Sequence, residues 1–471
     1  MPRADRSLAA ADAPTPPVRS PRRATSRAGQ ALADVIGPAA GCVAAVRSGR
    51  SLTEALAAVP TPQRPAVQAL SFHALRRLAA ARAVLALLAE RPPPARTEAL
   101  LLVALALLWR IEPDDPLPYA PHTVVDQAVT AERRRGGRDA FVNAVLRRWL
   151  READARAPQL RRDPVVARNL PAWWWARLAA DWPHEAEALA AEARRPPPMT
   201  LRVNRRRGDV AAYLARLAAA GLGARAAGGD AVLLDEPVPV DRLPGFADGD
   251  VSVQDLSAQR AAALLLAPAG DGLPPVPRSA GGRPHVLDAC AAPGGKTAHL
   301  LECADLDLLA IDVDAHRLAR VDDTLRRLGL QARTAVADAA QPQAWWDGRP
   351  FDAILLDAPC SGSGVVRRHP DIPWLRRESD LAALARGQDR LLEALWPLLA
   401  PGGRLLYATC SLFRAEGIER IDAFLQRHAD ARPAPPARSP GHLSGLPENA
   451  VPVAADGFFY ALLIRSGHPP P

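Results

Sequence analysis

Cysteine is scarce in this chain: five occur in 471 residues, an odd number, and no C-x-x-C or H-x-E pattern is present. These absences argue against a disulfide framework, leave a zinc site without support and favour a reducing, cytoplasmic compartment. Lysine is scarcer still, Lys296 being the only one among 59 basic residues. Where arginine serves wherever a diffuse positive charge is enough, a surviving lysine points to a need for a compact ammonium with three donors. Long apolar runs are missing too. The longest, Ala99 to Trp109, lies between Glu98 and Arg110, is too short to span a bilayer and reads as a buried core helix. The first 25 residues mix Arg, Pro, Ala and Ser with Asp5 and Asp12 and contain no apolar leader stretch. They read as a disordered basic tail, and their prolines and aspartates speak against an organellar transit peptide.

What is abundant is arginine and apolar surface. A net charge of +8 and a pI near 9.9 favour an anionic partner, nucleic acid first. A 48% hydrophobic content over this length implies two or three domains. From Ser26 to Ala155 apolar residues recur at three and four spacing in Ala31 to Val46, Ala66 to Leu88, Arg96 to Ile111 and Phe141 to Leu150, which predicts an all-α bundle. Prolines at 92 to 94, 113, 116, 118 and 121 mark its joints. Arg133, Arg134, Arg135, Arg138, Arg147 and Arg148 form a cluster that could track a phosphate backbone or simply be a solvated helix face.

The stretch 156–236 predicts a small α+β module for RNA binding, with a helix from Trp173-Trp174-Trp175, a strand Met199 to Val203 and a helix Val210 to Ala220. Arg202, Arg205, Arg206 and Arg207 make a second basic patch beside that strand, while the tryptophans read as core. From Pro237 to the end, short apolar strands alternate with helices, the pattern of a parallel α/β sheet. The strands are Val286 to Asp288, Leu308 to Asp312, Arg333 to Val336, Ala353 to Leu356, Arg404 to Ala408 and Phe458 to Ile464. Ala267 to Pro284 reads as a flexible surface insertion, and Arg432 to Val453 as a second loose stretch.

Two thiols stand at strand ends, Cys360 in Asp357-Ala358-Pro359-Cys360-Ser361-Gly362 and Cys410 in Thr409-Cys410-Ser411, where such sheets carry their chemistry. Upstream, Asp288-Ala289-Cys290-Ala291-Ala292-Pro293-Gly294-Gly295-Lys296-Thr297 is a glycine loop between a strand and a helix, open to close backbone approach by a ligand. It is not a P-loop, because the glycine that motif needs five residues before Gly295 is Cys290. The next strand ends at Asp312, about twenty residues on, where a carboxylate can take both ribose hydroxyls, although Asp314 is close enough to be confused with it. Asp338, after the following strand, is placed for an adenine amino group. Acids at successive strand ends favour S-adenosylmethionine over a dinucleotide.

With these motifs in place, the chain resembles, end to end, the RNA 5-methylcytosine methyltransferases. The resemblance rests on Asp288 to Thr297, Asp357 to Gly362, Arg367-Arg368-His369-Pro370-Asp371-Ile372, Thr409-Cys410-Ser411 and Asp456-Gly457-Phe458-Phe459. It implies a multidomain protein: a NusB-like helical RNA-binding bundle ending Phe141 to Arg148, a small α+β linker module, and a Rossmann-like class I methyltransferase domain. It also implies S-adenosylmethionine as donor, small-subunit ribosomal RNA as partner, cytosine 967 of the 16S molecule as target, no metal and no membrane. A monomer is the default expectation. Cys410 becomes the nucleophile, Cys360 the group that assists release, Asp357 and Lys296 their support. Cys290, Ala291, Ala292, Pro293, Gly294, Gly295, Lys296, Asp312, Asp338 and Asp357 become the cofactor site, with Cys290 a lining residue and Cys42 and Cys303 inert. Two rivals stay open: a methyltransferase for another ribosomal or transfer RNA site, and a non-catalytic RNA-binding or antitermination factor.

Overall fold

The computed structural model describes residues 31–270, 273–278, 282–446 and 455–467. The expected N-terminal tail and the last part of the second loose stretch, from residue 447 on, lie outside the described residues. The chain opens with seven helices: α1 (Leu32–Arg47), α2 (Leu52–Ala57), α3 (Arg64–Leu75), α4 (Leu78–Leu88), α5 (Ala95–Leu108), α6 (Pro121–Arg134) and α7 (Asp139–Leu160). The apolar run between Glu98 and Arg110 forms the central helix, α5, in which every residue from Ala99 to Leu108 is buried. Helices α1, α4 and α6 pack around it. Each fully buried Leu or Val there contributes roughly 1.5–3 kcal/mol. The helix expected over 66–88 is two, broken at Arg76 and Arg77, and α7 continues past Ala155.

Three short helices follow, α8 (Pro164–Arg168), α9 (Ala172–Asp181) and α10 (Ala186–Ala193). Trp174 on α9 is buried against Leu170, Leu178 and Phe413, as a core residue. The small module then consists of β1 (Thr200–Val203), α11 (Val210–Ala219), β2 (Ala224–Ala226), β3 (Ala231–Leu234) and β4 (Val251–Val253), with β4 lying beyond Glu236. Its sheet runs β2-β3-β1-β4, every pair antiparallel.

The third unit comprises α12 (Leu256–Leu265), β5 (His285–Asp288), α13 (Gly295–Cys303), β6 (Asp307–Asp312), α14 (Ala315–Leu328), β7 (Arg333–Val336), β8 (Phe351–Asp357), α15 (Ile372–Leu375), α16 (Glu378–Leu395), β9 (Leu399–Thr409), α17 (Ile418–Arg427), β10 (Ala431–Pro433), β11 (Gly441–Leu443) and β12 (Phe458–Arg465). The sheet order is β10-β12-β9-β8-β5-β6-β7, with β11 paired to β12. Strands β5 to β9 run parallel, and β12 joins antiparallel to β9. From β5 the connections lead first to β6 and β7 on one side and then to β8 and β9 on the other. The chain therefore switches direction between β5 and β8, and a crevice opens outside their carboxyl ends. Both the glycine loop after β5 and the Cys360 loop after β8 border that crevice.

The segment expected to be a loose insertion before β5 is anchored where it is described. Leu273 is buried, and the Arg404 guanidinium, itself buried in β9, donates to the carbonyls of Leu265, Ala267 and Pro274. A buried guanidinium needs such acceptors, and a loop backbone supplies them.

Candidate active site

Strands β8 and β9 are neighbours in register, Asp357 beside Ala408, so the loops that leave them emerge side by side. Cys360 Sγ and Cys410 Sγ consequently lie 3.3 Å apart. Cys360's loop is fastened from several directions. Arg376 donates to the carbonyls of Cys360 and Ser361, both at 3.2 Å, and Gln388 Nε2 donates to Pro359 O at 2.9 Å. Gly364 N donates to Cys410 O at 3.0 Å, tying one cysteine loop to the other. Contact with Cys410, desolvation of the sulfur and the charge on Glu416 push the Cys360 thiol well above its ordinary range. Cys360 is therefore a thiol that keeps its proton beside Cys410.

Across the crevice, Lys296 Nζ meets Asp357 Oδ2 at 2.6 Å and sits 5.5 Å from the centre of the Phe458 ring. Burial opposes the ammonium charge, yet Asp357, Cys410 and Asp288 together hold its pKa above the ordinary lysine value. A guanidinium would need more room than this enclosed, single-carboxylate contact provides. Beneath it, Asp288 is fully buried, with Oδ2 accepting from Thr297 Oγ1 at 2.7 Å and Oδ1 without a partner. Burial, only partly offset by Thr297, pushes its carboxyl up to about 7.

The glycine loop leads into α13 with Gly294 at φ 96°, a conformation that disfavours a side chain. A Cβ there would lie 3.0 Å from Val321 Cα. Asp312, nearly fully buried at the end of β6, accepts from Ala292 N at 3.2 Å and Asp314 N at 3.1 Å, which places its carboxylate against the loop. Asp314 is the cap of α14 instead, accepting from His316 N and Arg317 N. The two acids are thereby told apart. Asp338 stands after β7, and its carboxylate accepts from Ala340 N and Gln341 Nε2, both at 2.9 Å, closing its own turn. Cys290 is half-buried, and desolvation together with Asp357 and Asp288 raises its pKa, so it lines the loop as a neutral thiol. A bare backbone loop, a buried carboxylate at the next strand end and a third acid one strand further fit the ribose and adenine of an adenosyl group. Cys303, at the end of α13, lies with His299 and Asp230 within 4.8 Å, and Arg205 already holds both oxygens of that aspartate.

Most of the arginines in the two patches form ion pairs. Arg133, Arg134, Arg135 and Arg148 pair with Asp139, Asp34, Glu132 and Glu152. Arg202 is buried in a two-bond contact with Glu302, 100 residues away, while Arg205 and Arg206 pair with Asp230 and Asp305. Arg367 and Arg368 both grip Asp456, with Arg368 also on Asp255 at 2.8 Å. Those signature residues fasten the Cys360 loop to the start of β12. Missed altogether by sequence reasoning was Glu416, a lone acid in a short turn, whose carboxylate touches the residues following both cysteines. Nothing in the local pattern distinguishes it from a solvated turn residue.

Two family descriptions match this chain: "16S rRNA methyltransferase RsmB/F" over residues 280–464, and the ferredoxin-like domain of RsmF/B-like methyltransferases over residues 170–241. A ribosomal RNA small subunit methyltransferase B of Xylella fastidiosa is 47% identical over 89% of this chain and 95% of its own. The protein of the same name from Pseudomonas putida is 43% identical over 91% and 97%. Among solved structures, a methyltransferase homologue from Pyrococcus horikoshii covers 62% of this chain and 93% of its own, at 27% identity and a TM-score of 0.50. PH0851 shares the fold over 91% of this chain and 98% of its own, with a TM-score of 0.68 and 23% identity. The helical N-terminal region, ferredoxin-like module and mixed-sheet domain accord with the architecture expected from the sequence. This chain belongs to the RsmB/F family of 16S rRNA methyltransferases.

Proposed function

We propose that this protein methylates carbon 5 of one cytosine in small-subunit ribosomal RNA, cytosine 967 of the 16S molecule, through a covalent bond between Cys410 and carbon 6. The observation that carries the reading is the pair of thiols 3.3 Å apart at the ends of adjacent parallel strands, facing an Asp357–Lys296 pair. One thiol alone would serve addition; two separate addition from release. S-adenosylmethionine, when bound, supplies an electrophilic methyl group. The loop Cys290 to Gly295, with Asp312, Asp338 and Asp357, is assigned to hold it, with Asp312 taking the ribose and Lys296 closing the methionine side.

Carbon 5 of cytosine is a poor nucleophile, and the chain's residues remedy that. The Cys410 thiolate adds to carbon 6, a sulfur–carbon bond forms, and the displaced π pair makes carbon 5 nucleophilic. Asp357 receives the amino edge of the base and, through Lys296, is held at the correct angle as charge develops on the ring. Once carbon 5 carries the new methyl group, its proton must leave. Cys410 is by then a thioether, so its negative charge, which had held the Cys360 proton in place, is gone. Cys360 gives its proton to solvent and takes the one from carbon 5. The released pair re-forms the ring double bond and expels the Cys410 thiolate. The helical domain and the ferredoxin-like module are assigned to RNA binding, and the acting form to a cytoplasmic monomer.

The test is a denaturing gel after incubation with S-adenosylmethionine and protein-free small-subunit rRNA. Cys360→Ala is expected to give a slow-migrating protein–RNA band that disappears in the Cys360→Ala, Cys410→Ala double variant, with the modified cytosine mapped from the adduct. Absence of the band, while the wild type methylates the same RNA, would show the thiol roles to be misassigned.

A further inference from the structure

Glu416 lies in the turn between β9 and α17 and has no exposed surface. Its Oε1 accepts from Ser361 N at 2.8 Å and from Gln388 Nε2 at 3.3 Å. Its Oε2 accepts from Ser361 Oγ at 2.5 Å and from Ser411 Oγ at 2.7 Å. Ser361 follows Cys360 directly, and Ser411 follows Cys410. A single carboxylate thus holds the neighbour of each thiol. Its own position is fixed through the backbone, because Glu416 O accepts from Tyr407 Oη at 2.9 Å and Thr409 Oγ1 at 3.3 Å, both in β9. Ser363 Oγ, 2.9 Å from Ser411 Oγ and accepting from Leu412 N, closes the network on its far side.

A buried carboxylate usually sits beside a cation, since burying a charge without compensation is costly. Among the described residues no basic side chain pairs with Glu416. Four neutral donors satisfy it instead: three come from the two loops whose spacing the chemistry needs, and the fourth, Gln388, from α16. Serine hydroxyls also meet across the loops, Ser411 Oγ lying 2.9 Å from Ser363 Oγ and 3.4 Å from Ser361 Oγ, so joining the loops does not by itself require a buried carboxylate. The carboxylate adds what a hydroxyl cannot, a negative charge close to Cys360; Arg376 is engaged with the carbonyls of Cys360 and Ser361 and not with Glu416.

We propose that Glu416 is a positioning residue for the two-thiol reaction: its carboxylate sets the separation of Cys360 and Cys410, and its charge disfavours a second thiolate beside Cys410 during addition. The proposal deepens the assignment of Cys410 to addition and Cys360 to release, and rests on it. Glu416 takes no part in the bond changes of that cycle. A purely structural clamp would work equally well with a neutral isostere; an electrostatic one would not.

Two measurements on the full chain separate these roles. The first is the pH dependence of iodoacetamide alkylation at Cys360, read by peptide mass spectrometry without RNA. Glu416→Gln keeps the shape and most of the hydrogen bonds but removes the charge, and the midpoint for Cys360 is expected to move down by about one pH unit or more. The second is steady-state turnover on small-subunit rRNA, in which Glu416→Gln is expected to lower kcat by roughly tenfold or more with the KM for RNA unchanged. Glu416→Ala, which also removes the clamp, is expected to accumulate the protein–RNA band with both cysteines intact. An unchanged Cys360 midpoint in Glu416→Gln overturns the proposal, whether or not Glu416→Ala folds. Failure of Cys360→Ala to trap RNA would refute the thiol roles, and so the release function given to Glu416. The alkylation profile, read without RNA, tells that failure from a failure of Glu416 itself.

Discussion

At the end of β5, Asp288 shows how much the crevice costs the fold. Its carboxyl is pushed up to about 7 by burial, with one oxygen unpartnered, against 3.8 for the free side chain. Between those values the folded chain holds a proton that the unfolded chain has released. Stability therefore falls as pH rises from about 4 to about 7, by on the order of a few kcal/mol, and then levels off. Asp288→Asn keeps an acceptor for Thr297 and removes the titration. Thermal melts should show the variant more stable than the wild type near pH 8, with the gap closing towards about pH 5; parallel profiles would contradict the assignment. Asp288 was visible beforehand only as the last residue of a strand. Lys296, Asp312, Cys360 and Cys410 were legible because their residue types are rare or fall at strand ends. Glu416 was not, since only folding brings four donors to it. Arg202 stands apart from the rest of its patch, and a count of charges cannot see that it finds Glu302 from 100 residues away.

Among the elements, the closest approach of backbones at the site joins the loop after β8 to the start of β12. Gly457 N donates to Gly364 O at 3.0 Å, and a Cβ on Gly364 would lie 1.9 Å from Gly457 O. The obstacle is backbone, which cannot rotate aside. Gly364→Ala is expected to destabilise the protein by roughly 1–3 kcal/mol. It should also slow methyl transfer more than it weakens cofactor binding, because the displaced loop carries Cys360 and not the glycine loop after β5. Calorimetric binding of S-adenosylmethionine beside single-turnover methylation would show this, and equal losses in both would refute it. The parallel strands were legible as short apolar runs, and all six expected strands of the large sheet are present. The three-residue strands β10 and β11 were not, for so few residues carry no periodicity. Helix α6 begins at Pro121, one of the prolines expected to mark a joint, and that residue is its first turn.

For the molecule as a whole, the helical domain does not merely precede the catalytic sheet; it holds the segment that shapes the Cys360 loop. Asp371 Oδ2, buried just before α15, accepts from Leu52 N at 2.9 Å and so caps α2 from another domain. The Arg76 guanidinium, buried at the break between α3 and α4, donates to Arg367 O at 2.6 Å. Trp374 and Leu375 of α15 pack against the helical core. The next residue, Arg376, holds the carbonyls of Cys360 and Ser361. A contact made on the helical domain thus reaches the thiols through five residues of chain. Asp371→Ala removes the acceptor of Leu52 N, while the Ser51 cap of α2 and the packing of Trp374 remain. It should lower stability by about 1–2 kcal/mol. Because Arg376 loses part of its anchorage, kcat on small-subunit rRNA should fall further than stability alone explains at temperatures where the variant is fully folded. Asp371→Asn, which retains an acceptor for Leu52 N, should recover most of both. If Asp371→Ala melts early yet turns over like the wild type, the helical domain is only tethered to the catalytic sheet and does not help to set its loops.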